Sequence, residues 1–311
     1  MDRQKIESLW AHLHSLVVLA EAGSYTAAAA QLGVSKAAMS LRIAELERTA
    51  GIPLVQRTTR SVRLTEAGQQ LVDETRASFA TIERSFVGVR DLGGEPRGLV
   101  RMTAPVALGR QQIVPRLPAF LAQYPQVRVE LELSDSFASL AREGFDLAVR
   151  HTSAAPDTHI AWTLCKTRAA LVATRSYLRR HGAPHSPADL SEHQCLHYFR
   201  RGEQPTWSFE PIRGNGARQS VAIQGGFAAN NSEALRDAAL AGLGIALVPD
   251  FTAQADLQSG RLVQVLPGWR PTGAFGEHIY AIRPYSPLVP RAVRALVDYL
   301  REALRDGFRL P

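Results

Sequence analysis

The chain reads as an α+β multidomain protein: an N-terminal winged helix-turn-helix, a long linker helix and a C-terminal α/β region. Three observations predict this. Residues 24–46 hold two helix starts, each with its own serine, on either side of a tight turn at Gly33-Val34-Ser35. Residues 65–89 form one long amphipathic run. Beyond Gly93-Gly94-Glu95-Pro96-Arg97-Gly98 the pattern changes to alternating strands and helices. At 311 residues the chain exceeds one typical domain, so two or three units are expected.

An amphipathic helix is expected first, over residues 6–20, with Ile6, Leu9, Trp10, Leu13, Leu16, Val17 and Ala20 on one side. Ser24 is suited to cap the next helix by accepting from a backbone N–H of its opening turn. Ala27 to Ala30 lose little side-chain entropy there, and their small size lets another helix cross closely. Gly33 suits the left-handed position that ends a helix. Ser35 then caps the following helix, on which Met39, Ile43 and Leu46 fall at i, i+4 and i+7 as a buried face. Lys36, Ala37, Ser40 and Leu41 are left exposed near its N-terminus, the end from which recognition helices touch base edges. The bland alternative is a helical hairpin inside a core. The Arg- and Thr-rich stretch at residues 54–68 argues against it, because it suits a wing lying on phosphates.

Residues 5–68 resemble the DNA-binding domain of the LysR-type transcriptional regulators. The matching text is Glu21-Ala22-Gly23-Ser24-Tyr25-Thr26-Ala27-Ala28-Ala29, Leu32-Gly33-Val34-Ser35, Ala38-Met39-Ser40, Ile43 and Leu46-Glu47. Arg57-Thr58-Thr59-Arg60 and Leu64-Thr65-Glu66-Ala67-Gly68 match as well. Two positions depart from the family pattern. Ala37 stands where proline or serine is common, and Leu41 where a basic or polar residue is common. Lys36, Ser40 and Arg42 are the candidates for the groove-facing helix. Ser35 and Thr26 are candidates for bonding phosphate from two helix N-termini, and Arg57, Thr58, Arg60 and Arg63 for contacting phosphate or the minor groove from the wing. The implied partner is double-stranded DNA with two-fold related half-sites.

Composition fits this reading without proving it. The formal net charge is +7, which suits an anionic partner. Lys36–Arg63 carries six Lys/Arg against two Asp/Glu, whereas most of the overall excess lies beyond residue 97. No apolar run approaches the roughly 20 residues of a membrane span. Met1 to Ser8 shows no signal-peptide pattern, and two cysteines make no disulfide framework. A cytoplasmic protein with no membrane partner is the expectation.

Thr65 is expected to cap a helix running to about Val89. Val72, Phe79 and Phe86 recur at seven-residue spacing, and Ile82 and Val89 follow a second track, as a and d positions of roughly three heptads do. A rod of roughly 37 Å with one seam needs a partner, either a second chain or the protein's own domains. The family resemblance implies the first, a homodimer paired through Val72, Phe79, Ile82 and Phe86, and beyond it a tetramer as a dimer of dimers.

Past the 93–98 hinge, strands are expected at Leu99–Thr103, Val127–Leu133, Phe145–Arg150, Ala170–Thr174 and Ile245–Val248. Helices are expected at Gln112–Ala122, Ser232–Ala241 and Arg291–Leu304. This alternation argues for mostly parallel sheets. The order resembles the LysR effector-binding domain, through Thr103-Ala104-Pro105-Val106, Phe145-Asp146-Leu147-Ala148-Val149-Arg150 and Ala241-Gly242-Leu243-Gly244-Ile245. That resemblance implies a two-lobed, periplasmic-binding-protein-like fold. The expected division is 1–64 winged helix-turn-helix, 65–92 linker helix, 93–98 hinge and 99–311 regulatory domain. Lobe one is then 99–166 with 270–311, and lobe two 167–269.

Open α/β sheets bind ligands at the carboxyl ends of their strands. Thr103, Pro105 and Val106 follow one strand, and their hydroxyl and backbone N–H groups are candidates for holding an anion such as a carboxylate. Arg150 ends another strand and can pair with that anion bidentately. Asn231 opens a helix, and Phe199 beside Tyr198 supplies apolar wall. The bland reading of these residues is caps and surface ion pairs. The implied partner is a small-molecule effector.

Other chemistries are weaker. His193, Cys195 and His197 alternate along an expected strand, but no fourth metal ligand is evident. Nothing around Cys165 or Cys195 marks a lowered thiol pKa, which redox sensing needs. No dinucleotide fingerprint, phosphate loop, nucleophile elbow or zincin motif is present, so an α/β enzyme fused to a DNA-binding module has no support. Neither a metal nor a cofactor is expected.

Overall fold

The computed structural model describes residues 9–57, 62–90, 94–135, 144–154, 159–199, 204–213, 217–285 and 288–310. The side chains of residues 57, 84, 85 and 87–90 lie outside that description. Among the described residues the chain divides into two compact units, one of residues 9–90 with Gly144 and one of the remaining residues from 94 to 310.

The N-terminal unit begins with α1 (Trp10–Ala22), α2 (Tyr25–Gln31) and α3 (Lys36–Ala50). Both serine caps form: Ser24 Oγ accepts from the Ala27 N–H and Ser35 Oγ from the Ala38 N–H, each at 3.1 Å. Gly33 takes φ +64° between the two helices, where a side chain would be strained. Met39, Ile43 and Leu46 are buried as their spacing requires, against Leu16, Leu19, Ala28 and Ala29. Trp10 departs from the expected inward face and is 53% exposed. Ile6 lies outside the described residues.

β1 (Val55–Arg57) and β2 (Val62–Leu64) pair antiparallel, with Gln56 opposite Arg63. Glu47 on α3 secures the entry to this hairpin, its Oε1 accepting from the N–H groups of Leu54 (2.8 Å) and Val55 (3.0 Å). α4 (Glu66–Arg90) follows, capped by Thr65 Oγ1 accepting from the Gly68 N–H at 3.1 Å. Gly68 is required by contact, since a Cβ there would lie 2.1 Å from the Leu54 carbonyl oxygen.

The heptad seam on α4 splits in two. Val72 is fully buried in the core of its own unit, so it is not available to a second chain. Phe79 is half-buried and stacks on His14 of α1 at 4.9 Å between ring centroids. Ile82 and Phe86 are 50% and 69% exposed. The first half of the helix thus packs on its own domain, the alternative that seven-residue spacing leaves open.

The second unit contains two five-stranded sheets. The first has the order β4-β3-β5-β15-β6, built from β3 (Gly98–Ala104), β4 (Val127–Leu133), β5 (Leu147–Thr152), β6 (His159–Lys166) and β15 (His278–Pro284). The second has the order β11-β8-β12-β7-β13, built from β7 (Ala169–Ala173), β8 (Cys195–Tyr198), β11 (Ala228–Ala229), β12 (Ile245–Pro249) and β13 (Val263–Gln264). A three-stranded sheet, β10-β9-β14, adds β9 (Thr206–Pro211), β10 (Gln219–Ala222) and β14 (Trp269–Thr272). β14 pairs with β9, so the second lobe's strands run three residues past the expected boundary at 269.

Both large sheets are mixed rather than mostly parallel. β3 pairs parallel with β4 and β5, but β15 runs antiparallel between β5 and β6. In the second sheet β12 is parallel to β8 and antiparallel to β7. The reversals occur where the chain passes between lobes, at β6 to β7 and again at β14 to β15. The two passages are adjacent, with the Thr167 N–H donating to the Glu277 carbonyl at 3.0 Å.

The expected helix over 112–122 is broken. A short helix, α5 (Val106–Leu108), widens into a π turn at Gly109–Ile113 and a tight turn at Val114–Arg116 before α6 (Leu117–Gln123). Pro115 lacks the N–H that a continuous helix needs. Ile113 and Phe120 are still fully buried. α7 (Arg175–His181), α8 (Ser232–Leu240), α9 (Asp250–Gln258) and α10 (Arg291–Leu304) complete the unit. No described helix is long and apolar enough to cross a membrane.

Candidate nucleic-acid interface and ligand cleft

The helix-turn-helix presents its polar residues unevenly. Thr26, Ser35, Lys36 and Arg63 are exposed and Ser40 is half-buried. Ser35 spends its acceptor on the Ala38 N–H, which leaves its hydroxyl hydrogen for a phosphate oxygen. Arg42 is different: its Nη1 donates to Ser15 Oγ on α1 at 3.3 Å, so it braces α3 against α1 rather than facing outward. Arg57 ends β1, with its backbone alone described. Thr58 and Arg60 lie outside the described residues.

The C-terminal unit carries a cleft of about 340 Å³. Pro105, Arg150 and His151 come from the first sheet's lobe, and Tyr198, Phe199 and Ser232 from the second. The volume suits a small organic molecule. Arg150 is only 6% exposed, its Nη2 donating to Thr103 Oγ1 and its Nη1 to the Val149 carbonyl, both at 3.2 Å. Thr103 itself is fully buried and off the cleft wall, so it positions Arg150 instead of meeting a ligand.

Asp135 changes the expected anion site. It follows β4 and lines the cleft, and its Oδ1 accepts from the Val106 N–H at 3.0 Å. The backbone donor expected to hold a ligand is therefore already taken by a carboxylate of the chain itself. The other oxygen, Oδ2, accepts from Asn231 Nδ2 at 2.8 Å. Asn231 also caps α8 by accepting from the Ala234 N–H at 3.1 Å. Both functions hold Asn231 off the cleft wall, which is lined by its neighbours Asn230 and Ser232. Phe199 lines the cleft and is 50% exposed.

His151, Phe251 and Phe275 complete an aromatic wall that the sequence reading missed. His151 stacks on Phe275 at 5.7 Å and meets the edge of Phe251 at 5.5 Å. Its Nε2 donates to the Gly276 carbonyl at 2.6 Å. Burial lowers its pKa to about 4 against the pull of that carbonyl, so the ring is neutral at physiological pH. The carboxyl ends of strands β4 and β5 point to Asp135 and His151. Phe275 precedes its strand and gives no such signal.

Glu233 at the start of α8 adds a second link between lobes, accepting from Arg110 Nη1 (3.2 Å) and Gln111 Nε2 (2.9 Å). The cysteines are structural. Both are buried, and desolvation pushes the Cys165 and Cys195 thiols up to about 12, opposite to what redox sensing requires. β8 starts only at Cys195, so His193 is not on the strand. Cys195 Sγ donates to the Leu190 carbonyl, while His193 Nδ1 sits 3.2 Å from the Tyr177 hydroxyl. Only Cys195 and His197 of the three lie on the strand.

Comparison with known proteins agrees with this architecture. Residues 10–69 match the family model described as bacterial regulatory helix-turn-helix protein, lysR family, and residues 93–305 match the LysR substrate binding domain. The chain is 37% identical over 301 residues to the HTH-type transcriptional regulator PtxR of Pseudomonas aeruginosa, covering 96% of this chain and 94% of that one. It is 34% identical over 290 residues to the HTH-type transcriptional activator TtdR of Escherichia coli, covering 93% and 91%. Among solved structures it resembles the full-length Vibrio cholerae virulence activator AphB, at TM-score 0.61 and 27% identity, covering 93% of this chain and 97% of that one. It resembles CrgA, a LysR-type regulator from Neisseria meningitidis, at TM-score 0.60 and 27% identity, covering 94% and 98%. These relatives are regulators rather than enzymes. A helix-turn-helix at one end and a substrate-binding domain at the other match the family over nearly its full length, and the chain belongs to the LysR-type DNA-binding transcriptional regulators.

Proposed function

We propose that this regulator, acting in the cytoplasm, couples a small organic carboxylate, bound between the two lobes, to its hold on DNA. The carrying observation is Arg150. It is a buried guanidinium on the wall of a 340 Å³ cleft that also presents the rings of Tyr198, Phe199, Phe251 and Phe275, with the Asp135 carboxylate already engaged by the Val106 N–H and Asn231. A guanidinium in that setting favours a carboxylate, and the rings favour an apolar body. Asp135 and Glu233, which tie the lobes together, are the groups such a ligand would disturb.

The DNA reading assigns α3 to the major groove. Lys36 and Ser40 face base edges, Ser35 and Thr26 bond phosphates, and Arg57, Thr58, Arg60 and Arg63 make the wing's contacts. Ile82 and Phe86, exposed on α4, are the proposed pairing surface of a homodimer that reads two-fold related half-sites, with tetramers formed from such dimers. The proposed domains are 1–64, 65–92, 93–98 and 99–311, with lobe two running from 167 to 272 so that β14 stays with its sheet.

The test uses the full-length protein. Genomic fragments it retains are recovered, and genes beside them indicate candidate carboxylates. Retention is then titrated with each compound for the wild type and for Arg150→Ala. The expected result is a ligand-dependent shift in the wild type and none in the variant. An unchanged response in Arg150→Ala sinks the assignment of the cleft.

A further inference from the structure

α3 is apolar on the side where a surface helix is normally polar. Met39, Ile43 and Leu46 face the core. Ala37, Leu41 and Ala44 lie at i, i+4 and i+7 on another stripe, and all three are exposed. Leu41 is 71% exposed. The stripe turns polar only at Arg48, which is held by Glu45 at 2.5 Å. An exposed leucine is unremarkable alone. This one follows Lys36 and Ser40 on the second helix of a helix-turn-helix, in the segment Lys36–Arg63 with its six Lys/Arg against two Asp/Glu. Charge complementarity makes DNA the occupant of this face.

The major groove offers leucine one kind of favourable partner. Every base edge there presents hydrogen-bond donors or acceptors, and thymine adds an apolar C5-methyl. Leucine against the polar edges of guanine, cytosine or adenine desolvates those groups without replacing their water. Against a thymine methyl it buries apolar area on both sides. We infer that Leu41, with Ala37 beside it, reads thymine methyl groups in the major groove. This chain then selects its half-site in part by an apolar contact rather than by hydrogen bonds alone. The inference rests on the assignment of α3 to the groove.

The experiment starts from a retained site and the full-length protein. Duplexes are made in which thymines are replaced one at a time by deoxyuridine, which deletes the methyl and keeps every hydrogen-bonding group. At one or two positions per half-site the wild type should bind the uridine duplex about three- to tenfold more weakly, a methyl being worth about fourfold. Leu41→Ala should bind the thymine duplex as weakly as the wild type binds the uridine one, and should not distinguish the two. Its salt dependence should match the wild type, because no phosphate contact is removed. Leu41→Gln should move the preference at that position toward adenine. Equal wild-type binding to all uridine duplexes overturns the inference, as does a thymine preference that survives in Leu41→Ala. A wild type that binds the site no better than unrelated DNA overturns the groove placement of α3 itself, a failure distinct from these.

Discussion

Asn231 Nδ2 donates to Asp135 Oδ2 at 2.8 Å between the two lobes, while Asn231 Oδ1 caps α8. One amide therefore serves a helix and a lobe contact at once. Asn231→Ala should lose both and lower the stability of the full-length protein by about 1–2 kcal/mol, the usual cost of a lost cap. Asn231→Asp should keep the cap but set two carboxylates against each other, separating the lobes with a smaller stability loss. Thermal unfolding paired with small-angle scattering distinguishes the two. Matching scattering curves for wild type and Asn231→Asp would show that the contact does not hold the lobes.

Two buried groups give opposite pH dependences. His151 has its pKa lowered to about 4 by burial, against about 6.5 in an unfolded chain. The unfolded state binds the proton more readily, so this stability is complete above pH 6.5 and lost as pH falls toward 4. It amounts to something on the order of 3 kcal/mol. Asp250, held by Thr167 Oγ1 and the N–H groups of Arg168 and Phe251, is pushed up to about 6 by burial despite those bonds. Its contribution is complete below about pH 4 and lost as pH rises through 6. His151→Gln should flatten the acid limb of denaturant midpoints measured from pH 4 to 7. An unaltered limb would mean that His151 is not the group responsible.

The linker helix separates a folding role from a pairing role. Val72→Ala empties a site already filled by the protein's own core and should cost ~2 kcal/mol of stability without changing the oligomer. Phe86→Glu, at a side chain 69% exposed, should leave unfolding unchanged and shift sedimentation toward the monomer. A Phe86→Glu protein of wild-type mass would remove the pairing surface from this half of α4.

Arg42 and Arg63 should also separate. Arg42→Ala removes the bond to Ser15 and should lower stability by about 1 kcal/mol. Arg63→Ala should leave stability alone, weaken binding to every sequence and reduce the salt slope by about one. Binding titrations over a salt series check this, and a steeper or unchanged slope in Arg63→Ala would exclude a phosphate contact.

Local signals carried most of the fold. Ser24, Gly33 and Ser35 act through neighbours within four residues, so their roles were legible, as were the bounds of α10 and the alternation of β4. Relationships between distant segments were not. Val72 and Phe86 share one heptad track, yet Val72 lies in the core with distant residues such as Leu16 and Leu54 while Phe86 stays exposed. Asp135 takes the Val106 amide from 29 residues away, so the sequence left that donor free for a ligand. Arg42 looked outward by residue type, yet Ser15 on another helix turns it inward. In the three-stranded sheet only β9 carries a period-two signal, with Trp207 and Phe209 buried between polar neighbours, while β10 and β14 are four residues each and give no such pattern.

β15 lies between β5 and β6 and is the neighbour of β6 in the sheet. During synthesis, β6 leaves the ribosome more than a hundred residues before its pairing strand. At common elongation rates that is roughly ten seconds with two strand edges open. The second lobe, inserted between them, can complete its own sheet in that interval. The lobe that begins first is thus finished last, and for that interval its open edges are exposed to pairing with other chains.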